Sequence, residues 1–230
     1  MKKCITTLLY LCTAIITAQA TIVDSTANVI VYYPEFSSID LVCGQMPPTT
    51  DETVDFCCPA AFTGQLLDTF AHTNIADNHV SGGIYYKGYA CDVNTGAFAW
   101  SAQGWSFMPK DQFFYNVSQY AMGFCQYLII YNGEVMPRWK KLVNFSYRYR
   151  ALCERGGRLC LVESKEVVTF DDFLAQLQAI GVTHALYLEM GAGWNYTLYR
   201  DLYGHIRERF PEAKTNKFFP YRTNWLTFYR

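Results

Sequence analysis

The sequence predicts an α+β fold, a single domain with a mixed, largely antiparallel sheet, hairpins and two principal helices. Short runs rich in β-branched and aromatic residues, which are typical of strands, recur along the chain between turn residues. Two of these turns, Asn132-Gly133 and Gly156-Gly157, stand between apolar runs and therefore indicate hairpins. Helical spacing predicts one helix over Phe170–Ile180, and we place a second over Thr197–Phe210, ended by Pro211.

The composition is that of an ordered globular protein. The chain has 230 residues, of which 51% are hydrophobic, 17% aromatic and 17% charged, so it can build one sizeable core. Its net charge of -1 leaves no basic surplus to neutralise phosphates, which argues against nucleic acid as a partner. The aromatic residues suit either a surface that stacks on sugars or a tightly packed core. The sequence carries no signal for an oligomeric state.

The first twenty residues are typical of an export signal. Lys2 and Lys3 precede an apolar run, Ile5 to Ile16, and Ala18-Gln19-Ala20 is a small-residue cleavage site. We therefore expect a signal peptide over residues 1–20 and one domain over residues 21–230. The protein is then exported, to the periplasm, the cell surface or the medium. A lipid anchor at Cys12 is the second choice, and no transmembrane segment is expected in the mature chain.

Seven of the nine cysteines follow this leader. They are Cys43, Cys57, Cys58, Cys91, Cys125, Cys153 and Cys160. An exported protein can form disulfides, but an odd number leaves at least one thiol free or paired between chains. No pair has C-x-x-C spacing, so the cysteines alone do not indicate zinc. We expect most of them to be buried apolar residues and leave one or two unassigned disulfides open.

The N-terminal half is predicted to be mostly strands. The runs are Asn28–Tyr33, Ile39–Cys43, Glu52–Cys57, Ile84–Cys91, Ala97–Phe107 with a turn at Gln103-Gly104, and Phe124–Tyr131, the first strand of the Asn132-Gly133 hairpin. A short helix is expected around Leu66, Leu67 and Phe70, and Asp111–Tyr120 is expected to be irregular.

A polar loop is predicted over His72–Gly83. Loops on a rigid scaffold often carry function, so we take His72, Asn74 and His79 as candidate substrate-binding residues. The alternative is a surface loop with two solvated imidazoles. Neither histidine is at ligand spacing on a helix and no acidic cluster lies beside them, so no metal site is predicted; no cofactor is expected, with a divalent metal left open.

The C-terminal half is predicted to contain a hairpin, a helix and a strand, in that order. Ser146–Cys153 and Leu159–Ser164 flank the Gly156-Gly157 turn. Thr169 and Asp172 form the capping box of the helix, which Gly181 ends. The strand Ala185–Leu188 follows, giving a split β-α-β arrangement. Thr223–Tyr229 alternates and is predicted to be a last strand.

The stretch after this helix is the strongest candidate for a site. Glu189 stands at the end of the apolar strand and is followed by Gly191, Gly193, Trp194 and Asn195. A carboxylate placed by a buried strand and facing bare backbone can meet a ligand, because glycines let it approach the main chain. The alternatives are a structural turn with one solvated acid, and core packing for the tryptophan.

The order of these segments resembles the phosphodiester glycosidase family. Arg150-Ala-Leu-Cys-Glu-Arg-Gly-Gly-Arg-Leu-Cys-Leu-Val-Glu-Ser164 looks like the family's arginine-bearing strand, glycine turn and second strand. Ala185-Leu-Tyr-Leu-Glu-Met-Gly-Ala-Gly193 is similar to its Ala-Leu-x-Leu-Asp-Gly-Gly-Gly-Ser signature, with Glu189 in place of Asp. Asn224 matches the asparagine of its last strand, whereas Pro59-Ala-Ala-Phe-Thr63 lacks an asparagine that the family has. The chain is identified as an exported member of bacterial type.

The resemblance implies hydrolysis of a sugar-1-phosphodiester in glycan processing. It implies catalytic roles for Glu189, as the carboxylate, and for Arg150 or Arg148, which would hold phosphate and which alternate with Tyr149 on one strand face. The alternative for both arginines is a solvated strand face, and Glu154 and Glu163 on the same hairpin are expected to be solvated. Gly191, Gly193, Trp194 and Asn195 would hold the sugar.

Two other classes of function stay open. Met190, Ala192 and Gly193 replace two glycines and a serine of the family signature. A protein with these changes can be a non-catalytic glycan-binding or envelope protein on the same scaffold. It can also be a disulfide-stabilised structural domain.

Overall fold

The computed structural model describes residues 20–64, 70–137, 145–191, 194–215 and 223–230. Residues 1–19 of the expected leader, residues 65–69 of the expected short helix, and Gly193 lie outside the described residues. Within the described part the protein has three large sheets and two α-helices, which confirms the predicted α+β fold. No described helix has the length and apolar character that crossing a bilayer requires.

The largest sheet has seven strands, and every neighbouring pair in it is antiparallel. Its spatial order is β1 (Ile22–Ser25), β2 (Val29–Tyr33), β14 (Arg158–Ser164), β13 (Arg150–Arg155), β16 (Val182–Leu188), β10 (Leu128–Tyr131) and β11 (Glu134–Val135). The helix α2 (Phe170–Ala179) connects β14 to β16, and β13 lies between these two strands. The predicted split β-α-β arrangement is therefore confirmed.

Two five-stranded sheets lie against this one. One has the order β18 (Ile206–Arg209), β17 (Thr197–Arg200), β4 (Val54–Pro59), β19 (Thr223–Tyr229) and β3 (Ser38–Gly44). The other has the order β6 (Ile84–Tyr86), β5 (His79–Ser81), β9 (Met122–Gln126), β7 (Gly96–Ser101) and β8 (Gly104–Pro109). A short ladder pairs β12 (Ser146–Tyr147) with β15 (Val168–Thr169), and the second helix is α1 (Lys110–Tyr115).

Alternation along the seven-stranded sheet creates two apolar layers. Leu152 and Leu186 face a core shared with the two smaller sheets, where Phe56 and Phe124 are fully buried. Ala185, one position earlier than Leu186, faces the opposite layer, which α2 covers. The residue after β16, Glu189, donates its N–H to the carbonyl of Ala60, so the end of β16 lies next to the segment that follows β4.

Thr197–Phe210 is not the predicted helix but the hairpin of β17 and β18. Leu198 and Tyr199 pair with β4, so neighbouring backbone decides the conformation of this segment rather than local spacing. The turn is built by Asp201, whose carboxylate accepts from two backbone N–H groups, and by Gly204 at φ +78°.

Four smaller predictions also change. The segment predicted to be irregular contains α1, which Phe113 anchors in the core. The strand expected over Ile84–Cys91 ends at Tyr86, and the loop over His72–Gly83 contains a 3-10 turn (His72–Asn74) and β5. Phe124–Tyr131 is not one strand, because the chain leaves one sheet after Gln126 and enters another at Leu128.

All seven cysteines beyond the expected leader are described, and all have free thiols. Five of them are buried, as expected of apolar residues. The disulfides that the sequence left open do not form among them.

Candidate functional site

Glu189 is held at the end of β16 by backbone contacts on both sides. Its N–H donates to the carbonyl of Ala60 at 2.9 Å, and its carbonyl accepts from Nη1 of Arg150 at 3.3 Å. The carboxylate Oε1 accepts from the N–H of Gly191 at 2.9 Å. Both the position and the direction of the carboxylate are therefore fixed by the main chain.

The environment of Glu189 shifts its pKa upward. Burial is the largest cause, because it disfavours the charged form. The N–H groups of Gly191 and Met190 and the charge of Arg150 act in the opposite direction without cancelling it. A carboxyl group with a raised pKa is a better proton acceptor near neutral pH than an ordinary glutamate, as general acid–base chemistry requires.

Gly191 keeps one side of this carboxylate open. A Cβ added at Gly191 would lie 3.0 Å from Oε1 of Glu189, which is tighter than most contacts of real side chains. A larger residue would displace the carboxylate or cover it. The glycine in this position is therefore explained by the acid beside it.

Trp194 and Asn195 continue from this turn. The N–H of Trp194 donates to the carbonyl of Gly191 at 2.8 Å, and both side chains are partly exposed. The carbonyl of Asn195 accepts from Nη2 of Arg150 at 3.0 Å. The predicted residues Glu189, Gly191, Trp194 and Asn195 thus surround one turn.

Arg150 lies inside the protein, with no exposed surface. Its Nε donates to Glu163 at 2.8 Å and its Nη2 to Oγ1 of Thr197 at 2.6 Å, besides the carbonyls of Glu189 and Asn195. All three nitrogens therefore have protein partners. The guanidinium ties β13, β14 and β17 to the turn that carries the carboxylate.

Glu163, which was expected to be solvated, is fully buried. Its second oxygen forms an ion pair with Nε of Arg209 at 2.9 Å and accepts from the hydroxyl of Tyr32 at 3.3 Å. Burial of a carboxylate is costly unless it is paired, and here two guanidinium groups pair it. The pairing was not predicted, although the predicted hairpin places Glu163 directly opposite Arg150.

Arg148 is placed differently from Arg150. Its side chain is 36% exposed, and its guanidinium lies 3.4 Å from Glu166 and stacks 5.1 Å from the ring centre of Phe210. Such an exposed ion pair contributes little to stability. The solvated surroundings expected as the alternative describe Arg148 but not Arg150.

The residues of the predicted polar loop form a second group. Nδ1 of His72 lies 2.9 Å from Nε2 of His79, and Sγ of Cys43, on β3, belongs to the same cluster, within 4.8 Å of both. Burial lowers the pKa of His79 to about 4, with a hydrogen bond to Asp77 opposing it and His72 adding to it. Burial likewise raises the pKa of Cys43 to about 12. Sequence spacing did not predict this cluster because Cys43, on β3, is far along the chain from the loop that carries both histidines.

Asn74 connects this loop to residues 60–64 through its backbone. Its carbonyl accepts from the N–H of Gly64 at 2.8 Å, and Thr63 forms a bridge with Ile75. Since Ala60 of the same segment holds Glu189, residues 60–64 connect the two groups of predicted site residues.

Two clefts lie away from the predicted site residues. One of about 370 Å³ is lined by Asp111, Phe114 and Tyr115, and one of about 360 Å³ lies between the loop at residues 92–95 and the start of α1. The candidate site at Glu189 is defined by its contacts and charge.

Two solved structures have a fold similar to that of this chain. The catalytic domain of zebrafish N-acetylglucosamine-1-phosphodiester alpha-N-acetylglucosaminidase, auto-inhibited by its pro-peptide, matches with a TM-score of 0.59 at 11% identity, over 91% of this chain and 81% of that one. The chain shares the fold of a phosphodiester glycosidase domain. A hypothetical protein from Synechocystis matches with a TM-score of 0.54 at 13% identity, over 91% of this chain and 61% of that one.

No protein-family model and no curated protein matches the sequence. At identities of 11% and 13% the likeness shows the fold alone. It supports the predicted family resemblance as a distant relationship of fold.

Proposed function

We propose that the protein is an exported, phosphodiester glycosidase-like enzyme that hydrolyses a sugar-1-phosphodiester, with Glu189 as its carboxylate. The observation that carries the proposal is the fixed, partly buried Glu189 at the end of β16, in a fold shared with a glycosidase catalytic domain. Its raised pKa suits a group that exchanges a proton with water.

The proposed reaction breaks the bond between the anomeric carbon and the phosphate oxygen. Positive charge develops at the anomeric carbon, and a nearby carboxylate stabilises it or takes the proton of the attacking water. The products are a free sugar and a phosphate monoester of the aglycone. Because the departing phosphate is already a good leaving group, the reaction needs less help from a general acid than an ordinary glycosidase.

The arginines receive different roles in this proposal. Arg150 is a positioning residue, since its donors hold the carbonyls of Glu189 and Asn195 and pair with Glu163. Arg148, with an exposed guanidinium, stays the candidate for holding phosphate. Trp194, Asn195 and the glycines of the turn are the proposed sugar contacts. The contribution of His72, Asn74 and His79 to substrate binding stays a prediction.

The test is a panel of sugar-1-phosphodiesters that differ in the sugar, assayed with the purified chain in oxygen-18 water. The heavy oxygen is expected in the free sugar, because the proposal breaks the bond at the anomeric carbon. Label in the phosphate instead would make the protein a phosphodiesterase. Glu189→Gln should lower kcat by at least about 10²-fold, the usual effect of removing a catalytic acid or base.

The matched control is Glu134→Gln, which removes an exposed carboxylate from β11. It should leave turnover unchanged, and circular dichroism should show both variants to be folded. Turnover that survives Glu189→Gln would remove Glu189 from its proposed role.

A non-catalytic glycan-binding protein is the second candidate. The observation that favours it is the altered turn, in which Met190, Ala192 and Gly193 differ from the family signature. In that case no sugar of the panel is hydrolysed, but glycans still bind and Trp194→Ala weakens the binding. Stacking of a sugar on an aromatic ring is the contact that this variant removes.

A further inference from the structure

We propose that Cys43, His72 and His79 form a binding site for a divalent metal ion of the zinc type, with one coordination position open to solvent. One thiol from β3 and two imidazoles from the predicted loop His72–Gly83 lie together, with all ligand atoms within 4.8 Å of one another. The proposal does not rest on the proposed glycosidase activity, although His72 and His79 are also candidate substrate-binding residues, and none of the three was predicted to bind metal.

The spacing of the three atoms suits a single ion. Tetrahedral zinc lies about 2.1 Å from imidazole nitrogen and about 2.3 Å from thiolate sulfur, so two nitrogen ligands of one ion are about 3.4 Å apart and a nitrogen and a sulfur about 3.6 Å apart. Nδ1 of His72 and Nε2 of His79 are 2.9 Å apart and share a hydrogen bond. Coordination therefore requires these two nitrogens to separate by about 0.5 Å and His72 to carry its proton on Nε2, with Sγ of Cys43, within 4.8 Å of both nitrogens, as the third ligand.

His79 is oriented as a metal ligand is. Its Nδ1 lies 3.3 Å from the carbonyl of Asp77, which accepts a hydrogen bond from the ring. That bond places the proton on Nδ1 and leaves the lone pair of Nε2 directed at His72 and Cys43. Ligating histidines commonly donate their other N–H to a backbone carbonyl, which fixes the tautomer.

Hydrogen bonds connect β3, which carries Cys43, to β5, which begins with His79. The hydroxyl of Ser81, two residues after His79, donates to the carbonyl of Leu41 at 2.8 Å, and Leu41 is two residues before Cys43. The N–H of Gly82 donates to Asp40 at 3.1 Å, which extends the same contact between β3 and β5. The relative position of Cys43 and His79 is therefore set by the fold and not by the cluster itself.

Aromatic rings hold His72. Tyr86 stacks on the His72 ring with centroids 3.5 Å apart and planes 1° from parallel, and Phe70 packs edge-on at 5.1 Å. His79 is fully buried, whereas Cys43 and His72 are partly exposed. An ion bound here would have the buried His79 on one side and solvent on the side of Cys43 and His72. Water or a substrate atom would complete the coordination from solvent.

The donor set selects the class of metal. Two imidazoles and one thiolate suit zinc and related transition metals, whereas magnesium and calcium prefer oxygen ligands. Binding requires the thiolate, so the Cys43 proton passes to solvent as the ion enters. Three protein ligands with an open fourth position are typical of zinc sites that take part in chemistry rather than of closed structural ones.

The test uses the full chain, stripped with a chelator and then given Zn²⁺ or Co²⁺ alone. We expect one Zn²⁺ per chain and, with Co²⁺, an intense near-ultraviolet charge-transfer band from thiolate to metal. Cys43→Ser should abolish that band. Loss of an outer-shell contact weakens metal binding by about 10–100-fold, and His79→Gln, which removes a direct ligand, should weaken Zn²⁺ binding by more than that. Zn²⁺ should raise the Tm of the wild-type chain and not that of either variant.

The controls are Cys91→Ser, which removes another partly exposed free thiol, and His205→Ala, which removes an exposed imidazole. Both should keep full binding and the charge-transfer band. Less than one Zn²⁺ per chain in the wild type, or a cobalt band that survives Cys43→Ser, would overturn the proposal. Circular dichroism of each variant separates lost ligands from lost fold.

Discussion

Single residues were predicted well where the signal was local and poorly where a partner decided the outcome. Glu189 was expected at the end of an apolar strand, and the structure places it there, while its catalytic role stays a prediction. Glu163 was expected to be solvated because an isolated glutamate in a hairpin usually is. Its burial depends on Arg150 across the ladder and on Arg209 from a distant strand. The first of these partners was implied by the predicted turn, whereas the second depended on a hairpin that was predicted to be a helix.

The raised pKa of Glu189 has a consequence for stability. Below the ordinary glutamate pKa of about 4.3 the carboxyl is protonated in both the folded and the unfolded chain, so it contributes no difference. As the pH rises, the unfolded chain ionises first and the folded state loses stability until the raised pKa is passed. Glu189→Gln lacks this loss, so its Tm should exceed that of the wild type at pH 7 and approach it near pH 4.

Thermal denaturation at both pH values measures this difference. Glu134→Gln, which changes an exposed glutamate, should show no such pH-dependent gap. A Glu189→Gln variant that is less stable than the wild type at pH 7 would mean that the N–H groups of Gly191 and Met190 favour the carboxylate more than burial disfavours it.

At the scale of elements, α2 and the hairpin of β17 and β18 show what local sequence can decide. The helix has its own cap, since Oγ1 of Thr169 accepts from the N–H of Asp172 at 3.1 Å, and Gly181 at φ +78° follows its end. Every signal needed for it lies within thirteen residues of chain. The segment predicted to be a helix over Thr197–Phe210 instead pairs with itself as the hairpin of β17 and β18, and Leu198 and Tyr199 pair with β4, which local patterning does not reveal.

The cap of α2 should contribute measurably to stability. Thr169→Ala removes the acceptor of the Asp172 N–H, and Thr169 is exposed, so little packing is lost with it. The free energy of unfolding should fall by about 1 kcal/mol, the typical loss for such a cap. Urea denaturation measures it, with Thr169→Ser as the matched control that keeps the hydroxyl and should lose far less. Equal losses in the two variants would show that the hydroxyl does not act as a cap.

At the scale of the whole molecule, the sequence predicted most strands but not how the sheets share them. Phe124–Tyr131 appeared to be one strand, and the structure divides it between two sheets. The C-terminal strand β19 lies between β3 and β4, near the opposite end of the chain. Pairing at such sequence separation is not encoded in any short window. The cluster of Cys43, His72 and His79 was missed for the same reason.

One consequence concerns cooperativity. Leu226, at the centre of β19, is fully buried and opposes Leu41 on one side and Cys58 on the other, in the core that all three large sheets share. Leu226→Ala should therefore lower the free energy of unfolding by about 2–5 kcal/mol, the usual cost of such a cavity.

Because all three large sheets share this core, the lost stability should affect all three sheets in one cooperative transition. Far-ultraviolet circular dichroism and tryptophan fluorescence should report one coincident urea transition in the wild type and in Leu226→Ala. Val23→Ala, on the exposed edge strand β1, is the control and should change stability by no more than about 0.5 kcal/mol. Two separate transitions in Leu226→Ala would mean that the sheets unfold independently. Unfolding of one sheet would then be enough to separate the site residues that the different sheets contribute.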